Sequence, residues 1–168
     1  MDNIVSAAAY IFGMSQQRQW CILCGKRSCH DYSHRGGLYD VPVGMRENGE
    51  EPIDTAIRET YEEAGISIPK GNLKFVGSQA WGNGNAGANF LCILETCPQI
   101  GKGDWEHEGF MWLPVNDIDR LPWAFGMGEM AKRLFGSYVN NQKKSVTISE
   151  SMLRRIVNKL INESRVLV

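Results

Sequence analysis

The chain reads as an α/β protein, with helices packed on a mixed sheet and a further amphipathic helix near its C-terminal end. Two observations predict this class. Short strand-like runs outnumber a few helical ones along most of the sequence, which favours a layered sandwich over a bundle. The 168 residues are 43% hydrophobic and 22% charged, the size and balance of one soluble domain.

Residues 5–12 and 19–26 are predicted strands, joined by the polar segment Ser15-Gln16-Gln17-Arg18. The first begins without a basic region, contains Ser6 and is followed by Gly13, so it is read as a strand and not as a signal peptide. Residues 29–37, with Asp31, Ser33, Gly36 and Gly37, form a loop. Residues 38–44 are a short strand ending in a turn. A helix follows over residues 52–64, with Pro52 suited to its first turn and Gly65 to the left-handed residue past its end. Residues 73–81 and 88–95 are strands around a Gly- and Asn-rich hairpin, and residues 110–113 are another. Helices are expected over 128–135 and 149–162. The polar stretch 137–148 between them reads as a linker, which divides the chain into residues 1–136, 137–148 and 149–168.

No apolar run approaches the ~20 residues of a membrane helix. The net charge of −1 offers no bulk attraction to nucleic acid or to an anionic membrane. A cytoplasmic protein is therefore expected. The five cysteines are an odd number without an export signal, which argues against a disulfide framework. Cys21 and Cys24 have CxxC spacing but lie in an apolar run, so buried thiols are expected there and not a zinc site.

The chemistry concentrates in residues 53–64. Ile53, Ala56, Ile57, Thr60 and Ala64 recur at helical spacing and should face a core. Glu59, Glu62 and Glu63 stand at i, i+3 and i+4 and are expected on the opposite side. Crowded carboxylates repel, and a hard divalent cation such as Mg²⁺ compensates them through oxygen ligands. Arg58 beside them can hold a carboxylate by a paired hydrogen bond. A solvated acidic helix face is the alternative.

The run Gly44-x5-Glu50-x7-Arg58-Glu59-Thr60-x-Glu62-Glu63-x-Gly65-Ile66 resembles the Nudix box, matching eight of nine positions over 23 residues. Thr60 departs from an aliphatic preference, and its hydroxyl can bond back along the helix. Val41-Pro42-Val43-Gly44 stands where many relatives have Pro-Gly-Gly. The likeness extends over residues 5–120. It implies a Nudix-type α/β/α sandwich with a mixed sheet. It also implies Mg²⁺-dependent hydrolysis, with Mn²⁺ as a substitute, of the diphosphate bond in a nucleoside diphosphate linked to another moiety. A non-catalytic nucleotide-binding or regulatory domain is the alternative, although such relatives usually lose a box glutamate.

The resemblance assigns Glu59, Glu62, Glu63 and the Gly44 carbonyl to the metal, with Arg58 and Glu50 orienting the carboxylates. Glu62, Glu63, Arg58 and Glu106 are the candidate catalytic residues. Glu106, six residues before Trp112, is the first choice for an extra carboxylate or general base, and Glu108 the second. His107 between them is expected to be solvent-exposed. Trp81 and Tyr39 are the candidate substrate-binding aromatics, with Trp123 a further stacking candidate. Asn83 and Asn85 either contact a ligand or serve turn geometry. Ser78-Gln79-Ala80-Trp81 resembles the start of the SQPW array of NADH pyrophosphatases, although its Pro is missing.

Leu153, Ile156, Val157, Leu160 and Ile161 form an apolar stripe on the last helix. Packing on the domain, a homodimer contact or a tag for a partner groove are its three expected roles.

Overall fold

A computed structural model describes residues 3–29, 35–81, 84–103 and 105–165, without the side chains of 145–148, 156 and 158–165. Asp31, Ser33 and Asn83, singled out in the sequence, lie outside the described residues, as do the side chains of Ile156, Leu160 and Ile161. The chain divides into two compact units, Met1–Lys132 and Arg133–Val168.

The first unit is a seven-stranded mixed sheet with helices, as expected for an α/β sandwich. At its centre runs β1 (Asn3–Met14), buried from Ser6 to Gly13. It pairs antiparallel with β2 (Trp20–Arg27) and with β4 (Val43–Met45), and parallel with β6 (Asn85–Leu94). Beyond β2 lie β3 (Tyr39–Asp40) and β7 (His107–Pro114), and β5 (Leu73–Ala80) pairs β6 on the other side.

The helix expected over 52–64 is α1 (Pro52–Ala64). It packs on one face of β1, where Ala7, Ala9 and Ile11 meet Ala56, Ala64 and Ile66 in a shared core with Leu23, Phe90 and Cys92. Small side chains on both elements let helix and sheet approach closely, in keeping with the dense packing of protein interiors. Thr60 is fully buried, and its Oγ1 donates to the Ala56 carbonyl at 2.7 Å, so the departure from the box's aliphatic preference leaves no unpaired hydroxyl. Cys21 and Cys24 are buried in β2, and burial pushes the Cys24 thiol up to about 12, away from the thiolate that zinc requires.

The C-terminal region corrects the sequence reading. The two expected helices and the stretch 137–148 are a single helix, α2 (Met127–Arg165), 39 residues long. Asn140, Asn141, Gln142, Lys143 and Lys144 are polar all round and give no hydrophobic period, yet they carry neither Gly nor Pro and cost a helix only tenths of a kcal/mol each. Met127 and Ala131, at its start, are buried in the first unit. In the second unit Met152, Leu153 and Val157 are exposed. Among the described residues no helix is long and apolar enough to cross a membrane.

Gly65 ends α1 with φ 66°, and its N–H donates to the Tyr61 carbonyl at 2.8 Å. A Cβ there would also lie 2.6 Å from the Gly101 Cα. Gly65→Ala is therefore expected to cost roughly 2–4 kcal/mol, adding left-handed strain to a backbone collision. A urea-unfolding midpoint equal to the wild type's would contradict this.

Candidate active site

The site begins where β4 passes α1. Gly44 pairs with Ala7 of β1, and a Cβ at Gly44 would overlap the Glu59 carboxylate. The missing side chain therefore lets the carboxylate lie against the strand. Arg58 then joins the surrounding groups. Its Nη1 donates to Glu59 Oε1 at 2.7 Å and to Glu62 Oε2 at 2.9 Å. Its Nε and Nη2 donate to the Glu50 carboxylate at 3.1 and 3.2 Å, and Nη2 also to the Met45 carbonyl at 2.9 Å. Glu50 further accepts from the Glu47 amide and from Thr55 Oγ1. These bonds, that from Arg58 foremost, hold the Glu50 carboxyl down to about 2.

The three box carboxylates do not share one solvated face. Glu62 is half-exposed, Glu59 is mostly covered, and Glu63 is buried. Glu63 lies seven residues after Ala56, two helical turns on, and so follows the core stripe instead of opposing it. Its Oε2 accepts from the Val43 amide at 3.1 Å, which ties the helix to the residue before Gly44. Burial raises the Glu59 carboxyl, and the nearby Glu62 and Glu106 add to this, against the pull of Arg58. Among the described residues no three His, Cys, Asp or Glu side chains are already gathered as a metal-ligand set. Arg58 Nη1 bridges Glu59 and Glu62.

Glu106 reaches the same region from the loop before β7, and the two carboxylates expected there part company. The ladder pairs Lys26 with Gly109 and Arg27 with His107, so Glu108 is the extra residue of a bulge. Glu108 salt-bridges Lys26 at 2.6 Å, whereas Glu106 faces Arg27 at 3.7 Å and lines the cavity. His107 is not solvent-exposed as expected. Its side chain is 1% accessible, and its Nε2 lies 3.0 Å from Asp40 Oδ1. Asp40 Oδ2 accepts from Arg27 Nη1 at 2.6 Å. This buried Arg27–Asp40–His107 cluster was not singled out, because its members are far apart in sequence and meet only when β2, β3 and β7 pair.

A cavity of about 1350 Å³ opens over these groups, ample for a nucleotide. Glu59, Glu62, Glu63, Arg58, Gly44 and Glu106 all line it. So do Trp81 and Gln79, at the end of β5, and the unforeseen Trp105 and Phe125. Tyr39 is not among the lining residues: its amide donates to the Pro122 carbonyl, and it bridges to Trp123. Trp123 also stays outside, its Nε1 donating to the Ile118 carbonyl at 2.7 Å. The sheet face opposite α1 forms the floor, with Ser6, Ala8, Tyr10, Gly87 and Asn89. Asn89 is a polar residue inside the apolar run 86–94, a signal that the sequence carries and local pattern does not weigh.

A family model described as the NUDIX domain matches residues 2–134. Among curated proteins, the chain is 44% identical over 104 residues to an NAD-capped RNA hydrolase, NudC, of Haemophilus influenzae, covering 61% of this chain and 38% of that protein. It is 29% identical over 112 residues to a putative 8-oxo-dGTP diphosphatase 3 of Mycobacterium tuberculosis, covering 61% and 49% respectively. The chain thus spans half or less of these relatives' lengths. Among solved structures, the NUDIX domain of Shewanella oneidensis NrtR, complexed with ADP ribose, superimposes with a TM-score of 0.64 at 17% identity, covering 82% of this chain and 90% of that one.

The depressed Glu50 carboxyl contributes stability that is present above its ordinary 4.5 and is lost as pH falls toward about 2. In chelator-treated protein, Glu50→Gln should lower the melting temperature at pH 7, with the gap to wild type closing as the pH falls through that window. A gap that persists undiminished at the acid end would refute the assignment.

Proposed function

Since the chain belongs to the NUDIX domain family, we propose that it hydrolyses the diphosphate bond of a nucleoside diphosphate linked to another moiety, with Mg²⁺ as the working ion. The observation that carries this reading is the convergence of Glu59, Glu62, Glu63 and Glu106 on one nucleotide-sized cavity.

Nudix hydrolases generally use divalent metals, and the residues present fit one. The donor set is three carboxylates and the Gly44 carbonyl, all hard oxygen, which suits Mg²⁺ or Mn²⁺ better than soft or borderline metals. The absent Cβ at Gly44 provides the cradle. Glu59, Glu62 and Glu63 would hold the ion. When bound, it supplies charge neutralisation at the diphosphate and an acidified water as nucleophile.

The chain's own residues do the rest. Arg58 holds Glu59 and Glu62 in place through its Nη1. Glu63, held by the Val43 amide, is the most deeply buried of the three carboxylates. Glu106 accepts the proton of the attacking water at its carboxylate. Arg27, anchored by Asp40, brings a positive charge to the cavity wall, where it suits a phosphate group. Trp81, half-exposed at the cavity wall, offers a stacking surface for a base. The names of the relatives, an NAD-capped RNA hydrolase and an 8-oxo-dGTP diphosphatase, support a nucleotide substrate without choosing between a dinucleotide and a triphosphate.

A panel of nucleoside triphosphates, dinucleotides and nucleotide sugars, incubated with Mg²⁺ and resolved by mass, tests the reading. Turnover of at least one member with release of a nucleoside monophosphate is expected, and a chelator should abolish it. Glu63→Gln should remove most of the rate, and Glu106→Gln should lower kcat by about a hundredfold or more. A folded protein that turns over no panel member would sink the proposal.

A further inference from the structure

On the sheet floor, Asn89 carries a polar group that nothing among the described residues satisfies. The residue is 6% exposed and lines the cavity, yet its Nδ2 has no hydrogen-bond partner among the described residues. The register explains why. Asn89 is flanked by Ala8 of β1 and Gly77 of β5, and neither has a polar side chain. Two residues before it on the same strand, Gly87 lets the Trp81 ring lie against the sheet: a Cβ there would lie 2.8 Å from Ser6 Oγ and 3.5 Å from Trp81 Nε1. The missing side chain thus sets the Trp81 ring on the same cavity floor that Asn89 lines.

We propose that Asn89 is a specificity-determining residue whose Nδ2 donates to a ring carbonyl of the bound base. On this inference, keto-bearing bases are preferred over amino-bearing ones. It rests on the reading of the cavity as a nucleotide site. A base stacked on Trp81 turns one edge toward Asn89. Guanine and uracil present a carbonyl acceptor where adenine and cytosine present an amino donor. An amide that expects an acceptor rejects a donor, because both groups are then left without a bond. The floor therefore selects the base while the carboxylates, on α1, act on the diphosphate.

The test compares wild type with Asn89→Leu, Asn89→Ser and Asn89→Asp, each first checked for a cooperative melt. kcat/KM is measured for GTP, ATP, UTP and CTP with Mg²⁺, and calorimetric titration measures binding of the matching nucleoside diphosphates. Wild type should favour the keto base over the amino base of the same ring class by about tenfold or more, chiefly through KM. Asn89→Leu and Asn89→Ser should bring that ratio to within about twofold of unity, and Asn89→Asp, which only accepts, should invert it. A ratio unchanged in the folded variants, a wild-type preference for amino bases, or wild-type binding blind to the base would each overturn the inference. The two readings fail separately. Base-selective binding lost in the variants, without turnover, keeps the role of Asn89 and removes the hydrolase. Turnover with base ratios indifferent to Asn89 does the reverse.

Discussion

The arrangement of the site depends on one guanidinium. Glu50, Glu59 and Glu62 come from a loop and from two turns of α1, and like charges at such spacing repel. Arg58 meets all three, with Nη1 shared by Glu59 and Glu62, and adds the Met45 carbonyl of β4, so loop, strand and helix are joined through one planar group. A lysine could neutralise as much charge, but it could not reproduce the fixed fork of donors. The same contacts raise the Arg58 pKa and lower that of Glu50, so this pair stays ionised across ordinary pH. Glu59 feels the opposite influence from burial and is the member whose charge most needs a partner.

Around this joint the sheet presents two different faces. Toward α1, alternate residues of β1 and β6 are apolar and tightly packed. The other face carries Ser6, Tyr10 and Asn89, and it is walled by Trp81 and Trp105. The two-residue alternation of a strand makes this possible, since neighbours in sequence belong to different environments. The functional side chains are accordingly shared among rigid elements. The carboxylates sit on a helix, the floor on central strands, and only Glu106 and the aromatic walls lie near loops.

Much of this was legible in the sequence. The span of α1, the left-handed Gly65 and most strand positions follow from local signals that act over a few residues. Eight matching box positions point to Glu59, Glu62 and Glu63 directly. What local pattern missed was set by tertiary contact. His107 looks like a surface histidine until its partner Asp40, 67 residues away, is brought beneath it. Glu63 was expected on the outer face because charge was weighed above angle, although its separation of seven from Ala56 places it by the core. The stretch 137–148 lacks a hydrophobic period, and lack of period was taken for lack of helix. Tyr39 and Trp81 are both aromatic residues at strand ends, and only the pairing of β3 with β2 turns the first away from the cavity.

The alanine run of β1 has a consequence for how such a protein can change over generations. Ala7 and Ala9 are held by the helix packed on them, whereas Ala8 lies between them in sequence and faces the cavity. A lineage can therefore enlarge or shrink position 8, reshaping the chamber that receives ligands, while both adjoining codons remain under selection for folding. Selectivity and foldability are thus separately heritable along three consecutive residues. That gives a narrow but open route by which one scaffold can acquire new substrates without first having to be rebuilt.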